Sequence, residues 1–258
     1  MSQSIWTRCG AERNLRRLRA RPLRAVEGQH VVSTRKLVSS DEEQYVLEEL
    51  LDTAKPPVPP APEFRGLHYL LSTPFRYPPL RHGSRFGRRH ERSLWYGSRS
   101  HETAFAETAY YRFLFLQGTT ASLTPVHTDI STFRVPVSSD RGVDLTAGCF
   151  RRHGGEISAS QRYEVSQQLG TEMRQAGVEL FFYRSARDPQ GGANVGLFTP
   201  AAFANRQPSH LEIWYCVTDR DVVEITRRDV LHHDSRHEGF RFQRETFEVD
   251  GALPSPAV

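Results

Sequence analysis

The sequence predicts an α+β protein, and two observations lead to that prediction. Segments with strand patterns and segments with helix patterns follow one another without the regular strand–helix alternation that builds a doubly wound parallel sheet. No repeat period is visible along the 258 residues. The length permits one large domain, or a domain with an appendage.

Composition places the chain among ordinary soluble proteins. Hydrophobic residues make up 38% and charged residues 25%, and no window approaches the roughly 18 to 20 apolar residues that a membrane helix needs. No apolar segment follows the basic N-terminal residues, so a secretory signal is not expected. Cys9, Cys149 and Cys216 are odd in number and widely spaced, which fits neither a disulfide framework nor a zinc knuckle. These features favour a protein that works in the reducing environment of the cytoplasm.

The N-terminal quarter differs in character from the rest. Residues 8–24 form an arginine-rich run that favours a solvated helix or a flexible tail, with a nucleic-acid or acidic-partner patch as the alternative. Ser40 and Glu43 have the spacing of a capping box before an amphipathic helix, and the proline-rich KPPVPPAP (55–62) must end it. We therefore predict an extension with a linker over 1–62 and the main module over 63–258.

The main module alternates short strands with two longer helices. LHYLLS and SLWYGS have strand patterns, ETAFAETAYYRFLFLQ has the apolar density of a buried helix, and Gly118 is its predicted stop. STFRVPV alternates like a strand, and a helix is expected from about Ser160 to Ala176. Four further strands are predicted at VELFFYRSAR, NVGLF, LEIWYCV and DVVEIT.

An arginine, a tyrosine and a glutamate recur at equal intervals in GSRFGRRHERSLWYGSRSHETAFAE. Tyr96 follows Arg85 by eleven residues, and Glu107 follows Tyr96 by eleven. A carboxylate inside an apolar helix is costly unless it is paired or used. Spacing alone leaves two interpretations open: Glu107 forms a salt bridge with an arginine such as Arg85, or the three residues form a site.

Other familiar motifs are absent. GGANVG lacks the lysine and hydroxyl of a phosphate loop, and no serine lies in a G-x-S-x-G sequence. LHHDSRH places His233 and His237 at helical spacing, but it offers no third strong ligand. We predict a solvated turn there and no metal site.

The motifs together resemble those of the RES-domain proteins, a family named for an arginine, a glutamate and a serine. The resemblance lies in GSRFG (83–87), in WYGS (95–98), in the helix carrying Glu107, and in YRSARDPQGGANVGLFTP (183–200). It covers most of residues 22–225. PFRYPP and LRAVEGQHVVSTRKLV are similar to segments of the longer family members.

The resemblance implies a toxin enzyme that acts on NAD as its substrate. It implies a fold similar to the ADP-ribosyltransferase toxins, with a bent, split β-sheet and flanking helices around an NAD cleft. NAD would be cleaved at the nicotinamide–ribose bond through an oxocarbenium-like state. The acceptor is left open between water, phosphate and a side chain of a target protein.

The resemblance also implies roles for individual residues. Arg85 and Arg76, the latter beside Tyr77 in PFRY, would hold the pyrophosphate, and Tyr96 would offer a ring to nicotinamide. Glu107 would hold ribose or stabilise positive charge on the sugar. The family's first arginine is either Arg76, which we favour, or Arg24 in PLRAVE.

Two residues of the downstream motif complete the predicted site. Ser185 would correspond to the family's serine and is expected to donate a hydrogen bond to ribose or phosphate, since no histidine base lies beside it in sequence. Asn194, which opens the following strand, is expected to bind NAD.

Partners follow from the same resemblance. They are a cognate antitoxin with a helix-turn-helix-like domain, whose C-terminal segment would block the cleft, a protein acceptor of ADP-ribose, and further copies of the chain within the complex. A competing hypothesis is a non-enzymatic nucleic-acid-binding protein, because the sequence pI is about 9.1 and all but two of the 34 basic residues are arginine.

Overall fold

The computed structural model describes residues 3–28, 33–121, 125–228 and 237–255. Helices and strands are both present in these ranges, and helices flank one large sheet. The predicted α+β class is therefore confirmed. No helix of the described residues is long and apolar enough to cross a membrane.

A ten-stranded sheet forms the centre of the described chain. Its spatial order is β1-β5-β6-β7-β3-β2-β4-β8-β9-β10. The strands are β1 (Arg16–Ala20), β2 (Leu23–Glu27), β3 (Trp95–Ser98), β4 (Val126–Arg134), β5 (Val137–Asp144), β6 (Leu180–Arg184), β7 (Ala193–Leu197), β8 (Ser209–Thr218), β9 (Val222–Arg228) and β10 (His237–Gln243).

The sheet is nearly divided between β2 and β3. These neighbours share the register pair of Leu23 with Ser98, whereas β2 pairs with β4 all the way from Leu23 to Glu27. On its other side, β3 pairs with β7 from Trp95 to Ser98. Beyond Leu23 and Ser98 the two strands no longer pair, and an opening forms in the middle of the sheet.

The two longest described helices begin and end where the sequence predicts. The described residues contain six α-helices: α1 (Ile5–Arg8), α2 (Asp41–Ala54), α3 (Tyr69–Arg76), α4 (His101–Gln117), α5 (Gly154–Ile157) and α6 (Glu164–Gln175). The Ser40 hydroxyl accepts from the Glu43 amide at 3.1 Å and caps α2, which ends before the proline-rich segment. Ser100 likewise caps α4, and Gly118 ends it.

Helix α4 packs against one half of the sheet. Phe105, Ala109 and Phe113 are fully buried and belong to a cluster with Trp214 and Ile225 of β8 and β9. Because the three helix residues recur at four-residue intervals, they share one face of α4, and that face is fixed on the sheet. This packing sets the position of every other side chain on the helix, including Glu107.

Two predictions of secondary structure are wrong. LHYLLS begins helix α3 rather than a strand, because Leu70, Leu71 and Phe75 are buried at helical spacing and the His68 side chain accepts from the Leu70 amide at 3.2 Å. Residues 16–20 and 23–27 of the basic N-terminal region are strands rather than a helix or tail.

The N-terminal segment contributes directly to the sheet. Strand β1 pairs with β5, and β2 lies between β3 and β4. Arg16 and Arg17 form ion pairs with Asp144 and Asp140 of β5, at 2.9 and 3.3 Å. The division at residue 62 remains a proposal about domains, and strands from both sides of it share this sheet.

The interpretation of the cysteines is also wrong. Cys9 and Cys149 form a disulfide across 140 residues, while Cys216 is free and buried. Cys9 follows α1, whose Trp6 ring stacks on Phe150 at 6.1 Å between centroids. Sequence spacing did not indicate this bond because the pairing of distant cysteines depends on tertiary structure.

Candidate active site

A cavity of about 350 Å³ opens where β2 and β3 separate. Such a volume lies within the range of small-molecule sites. Five elements contribute to its walls: β2, β3, α4, β6 and β7, together with the loops around residues 82–85 and 187. The site residues among them are Arg24, Arg85, Tyr96, Glu107, Tyr183, Arg187 and Asn194.

The GSRFG loop is held against Tyr96. Ser84 and Gly87 exchange backbone hydrogen bonds, and the positive φ of Gly83 places its α-carbon so that a Cβ would clash with the Gly87 carbonyl oxygen. The Tyr96 hydroxyl contacts Ser84 Oγ at 3.0 Å and accepts from the Phe86 amide at 3.3 Å. Burial raises the pKa of Tyr96 to about 12, so its phenol stays protonated at neutral pH.

Glu107 is oriented by two donors that act on the same oxygen. Ser185 Oγ donates to Glu107 Oε1 at 2.7 Å, and Asn194 Nδ2 donates to the same atom at 2.8 Å. Asn194 is itself fixed, because its Oδ1 accepts from Ser98 Oγ at 2.6 Å. No described cation lies within salt-bridge distance of Glu107. The salt-bridge interpretation is therefore wrong.

This arrangement leaves Glu107 Oε2 available. Both donors hold Oε1, and the residue lines the cavity in a half-buried position. A carboxylate whose first oxygen is fixed by two hydrogen bonds presents its second oxygen in a defined direction. That oxygen can accept from a ligand hydroxyl or face a developing positive charge.

Ser185 has no hydrogen-bonding capacity left for a ligand. Its hydroxyl donates to Glu107 and accepts from the amides of Arg187 and Asp188 at 3.1 and 3.0 Å. One donor and two lone pairs are all that a hydroxyl offers. The expected bond from Ser185 to ribose or phosphate is therefore not favoured by this geometry, and Ser185 acts on Glu107 instead.

Three guanidinium groups line the cavity without a carboxylate partner among the described residues. Arg24 donates to the Tyr96 carbonyl at 2.8 Å, Arg85 to the Ala159 carbonyl at 2.6 Å, and Arg187 to the Ser160 carbonyl at 3.0 Å. No described carboxylate comes within 4 Å of any of the three.

Each of these arginines also lies over an aromatic ring. The guanidinium carbon is 5.6 Å from the Trp95 ring centroid for Arg24, 4.8 Å from Tyr163 for Arg85, and 3.5 Å from Tyr110 for Arg187. Such stacking fixes the guanidinium plane and leaves its N–H edge for other acceptors.

Burial without a counter-ion has an electrostatic consequence. Arg85 is 9% exposed and Arg187 is 4% exposed, and burial lowers the pKa of Arg24 to about 10. Charges removed from water are normally paired. The three guanidiniums together offer the N–H donors that an anion with several oxygen acceptors, such as a pyrophosphate, would require.

The structure separates the two arginines between which the sequence left a choice. Arg24 lines the cavity, whereas Arg76 and Tyr77 are not among its lining residues. Arg76 donates to the carbonyls of Pro56 and Lys55, so it fixes the proline-rich segment. This placement reverses the preference for Arg76. Arg24 lies on β2, which pairs with β3 beside the cavity, whereas Arg76 lies at the end of helix α3.

Sequence reasoning missed Arg187 and Tyr183 as cavity residues. Both lie at two-residue intervals from Ser185 in YRSAR, and alternation along the strand and its extension would have pointed to them. Burial raises the pKa of Tyr183 well above its usual value. The turn predicted at LHHDSRH falls mostly on residues 231–236, which lie outside the described residues.

The family is established by the match of a family model. The model that matches is the RES domain, and it covers residues 60–219, which is more than half of the chain. The chain belongs to the RES-domain family. The matched range contains Arg85, Tyr96, Glu107 and Ser185, whereas Arg24 lies in β2, before the match begins.

Two further comparisons add little detail about this RES-domain chain. No curated protein matches it. A solved structure, the crystal structure of the M. tuberculosis MbcT–MbcA toxin–antitoxin complex, contains a chain that is 13% identical. That alignment covers 85% of this chain and 94% of the other, with a TM-score of 0.46.

Proposed function

We propose that this RES-domain chain cleaves the nicotinamide–ribose bond of NAD. The observation that supports the proposal is the pairing of two features in one cavity. Three guanidiniums, those of the buried Arg85 and Arg187 and of the half-buried Arg24, lack carboxylate partners among the described residues, and one carboxylate is aimed by two hydrogen bonds. NAD offers the matching groups, since its pyrophosphate is anionic and its ribose develops positive charge when nicotinamide departs.

The roles follow from the contacts of each group. Arg24, Arg85 and Arg187 hold the pyrophosphate through guanidinium N–H groups that the protein leaves unused. Tyr96 provides a neutral aromatic surface beside nicotinamide, because its pKa of about 12 keeps the phenol protonated. Glu107 Oε2 accepts from a ribose hydroxyl and stabilises the cationic sugar.

The reaction breaks one bond and forms one bond. The bond between ribose C1′ and the nicotinamide nitrogen breaks, and its electron pair leaves with nicotinamide, which becomes neutral. An oxygen or nitrogen of the acceptor forms the new bond to C1′ and releases its proton to solvent. Hydrolysis, phosphorolysis and ADP-ribosyl transfer to a target protein differ only in this acceptor.

The biological role that we propose is that of a toxin in a toxin–antitoxin system, with an ADP-ribosyltransferase-like fold and cytoplasmic action on NAD. Its partner would be an antitoxin with a helix-turn-helix-like domain, which covers the cavity with its C-terminal segment. An acidic segment would suit the three arginines that line the cavity. Homo-oligomers within that complex are part of the proposal.

Incubation of the purified chain with NAD tests the enzymatic proposal. We expect nicotinamide to appear, as measured by chromatography, and mass spectrometry to identify the ADP-ribosyl product with water, phosphate and candidate proteins as acceptors. Glu107→Gln removes the charge that the transition state needs and should lower kcat about 100- to 1000-fold. Intact NAD with every acceptor, in a folded wild-type chain, would refute the proposal.

Glu179→Gln is a matched control. Glu179 also accepts from a buried serine, Ser139, at 2.6 Å, but it lies outside the cavity. Its substitution should leave turnover unchanged. In cells, wild-type expression and the Glu179→Gln variant should both arrest growth, while Glu107→Gln should not. A non-enzymatic nucleic-acid-binding protein would instead keep its effect in the Glu107→Gln variant and show affinity that falls steeply with salt.

A further inference from the structure

Cys9, Cys149 and His153 lie together, and none of them lines the candidate active site. One ligand atom from each residue lies within 4.8 Å of the corresponding atoms of the other two. Cys9 is buried, and the other two are partly buried. In the structure the two sulfurs are bonded to each other, a bond that by itself does not require a neighbouring histidine.

Two of these residues flank one short helical turn. Cys149 has helical backbone angles and precedes a 3-10 turn over Phe150–His153, which helix α5 follows. The turn brings the chain back toward Cys149, so that a ring nitrogen of His153 lies within 4.8 Å of the Cys149 sulfur. Cys9 approaches from the turn after α1, which is held in place by the contact between Trp6 and Phe150.

Glu156 orients the histidine ring. The distance from His153 Nδ1 to Glu156 Oε1 is 2.8 Å, so Nδ1 is occupied and Nε2 remains as the nitrogen that can bind a metal. A carboxylate on the far nitrogen is the usual outer partner of a metal-bound histidine, because it fixes the ring and increases its basicity.

We infer that the reduced chain binds a zinc-like divalent metal ion through Cys9, Cys149 and His153. Two thiolates and an imidazole are the ligands that Zn²⁺ prefers, and water would complete a tetrahedral set. Reduction by a phosphine consumes the disulfide, one phosphine and one water, and yields two thiols and a phosphine oxide. Metal binding then displaces the two thiol protons.

The disulfide and the metal are alternatives at one place. Both attach the N-terminal turn to the helical segment at residue 149, one under oxidising conditions and the other under reducing conditions. The inference is independent of NAD cleavage, since none of the three ligands lines the active-site cavity.

Cobalt provides the direct test. The full chain is reduced with the phosphine, freed of reductant without oxygen, and titrated with Co²⁺. We expect one equivalent to bind with a thiolate-to-cobalt absorption band in the near ultraviolet, and Zn²⁺ to displace it. The band should vanish in Cys9→Ser and Cys149→Ser and persist in Cys216→Ser, which removes the remaining thiol.

Two variants test the histidine and its partner without altering the thiols. His153→Ala and Glu156→Gln should each weaken cobalt affinity about 10- to 100-fold, with unchanged far-ultraviolet circular dichroism. A missing thiolate band, or cobalt affinity that is unchanged in His153→Ala, would overturn the inference. A reduced chain that unfolds and that zinc fails to refold would overturn it equally, because metal binding at this site should stabilise the fold.

Discussion

The proposed role of Ser185 can be isolated by a double-mutant cycle with Glu107. If the hydroxyl acts by holding the carboxylate, Ser185→Ala should impair catalysis only while Glu107 is present. In a Glu107→Ala background the same substitution should change the rate by less than about threefold, since no carboxylate remains to be oriented.

The size of the effect follows from the contact. The bond from Ser185 Oγ to Glu107 Oε1 is 2.7 Å long and is charge-assisted, a class that contributes about 1.5–3 kcal/mol. Each 1.36 kcal/mol corresponds to about tenfold in rate. We therefore expect kcat/KM of Ser185→Ala to fall about 10- to 100-fold, with Asn194 still holding the same oxygen at 2.8 Å.

The rates are measured as nicotinamide release, and single-turnover conditions allow the slow variants to be measured as well. Ser139→Ala serves as the control, because Ser139 donates to the Glu179 carboxylate at 2.6 Å and accepts from the Arg141 amide at 2.9 Å, as Ser185 does elsewhere. The Ser139→Ala variant should lose about as much stability as Ser185→Ala and keep full NAD-cleaving activity. If Ser185→Ala lowers kcat/KM by the same factor with and without Glu107, the positioning role is refuted and direct contact of Ser185 with substrate is favoured.

Three further predictions follow from the same structure. Arg187→Lys keeps the charge but loses the planar guanidinium over Tyr110, at 3.5 Å from the ring centroid, and should weaken ADP-ribose binding about 10- to 100-fold by calorimetry. Because the pKa of Arg24 is lowered to about 10 and a bound anion favours its charged form, affinity should be flat below about pH 9 and fall about tenfold per pH unit above pH 10. Reduction of the disulfide between Cys9 and Cys149, which spans 140 residues, should lower the free energy of unfolding by about 5 kcal/mol in urea titrations.

Each of these has its own control. Arg99→Lys also removes a guanidinium from an aromatic ring, that of Phe182 at 5.4 Å, outside the cavity lining, and should leave affinity unchanged. Affinity that declines already near neutral pH would contradict the assignment of Arg24 as the titrating cation. For the disulfide, Cys9→Ser in oxidising buffer should match the reduced wild type, and equal stability of the two oxidation states in the absence of metal would contradict the estimate.

The sequence by itself determined where two helices begin and end, because the signals for helix ends lie within a few residues of them. The spacing of Ser40 and Glu43 specified the start of α2, prolines specified its end, and Ser100 and Gly118 bounded α4. These predictions succeeded because caps and helix breakers act through backbone groups within a few residues. The strand prediction for LHYLLS was wrong because a short apolar run fits a helix or a strand equally well until its buried face is known.

Glu107 and Arg85 were found from the sequence, but what they contact was not. The carboxylate in an apolar helix indicated a use, yet only the folded chain shows that Ser185 and Asn194, from 78 and 87 residues away, hold one of its oxygens. Nothing in the eleven-residue spacing distinguished that arrangement from a salt bridge with Arg85.

Tertiary structure alone decided which arginines meet and which cysteines bond. Arg24 reaches the cavity because β2 inserts beside β3, and its bond to the Tyr96 carbonyl spans 72 residues. Arg76 was the closer choice in sequence and lies elsewhere. Strand order, like the approach of Cys9 to Cys149, is set by how apolar faces pack together. The sequence thus determined the ends of α2 and α4 and the residue types of the candidate site, and packing decided which of those residues share a cavity.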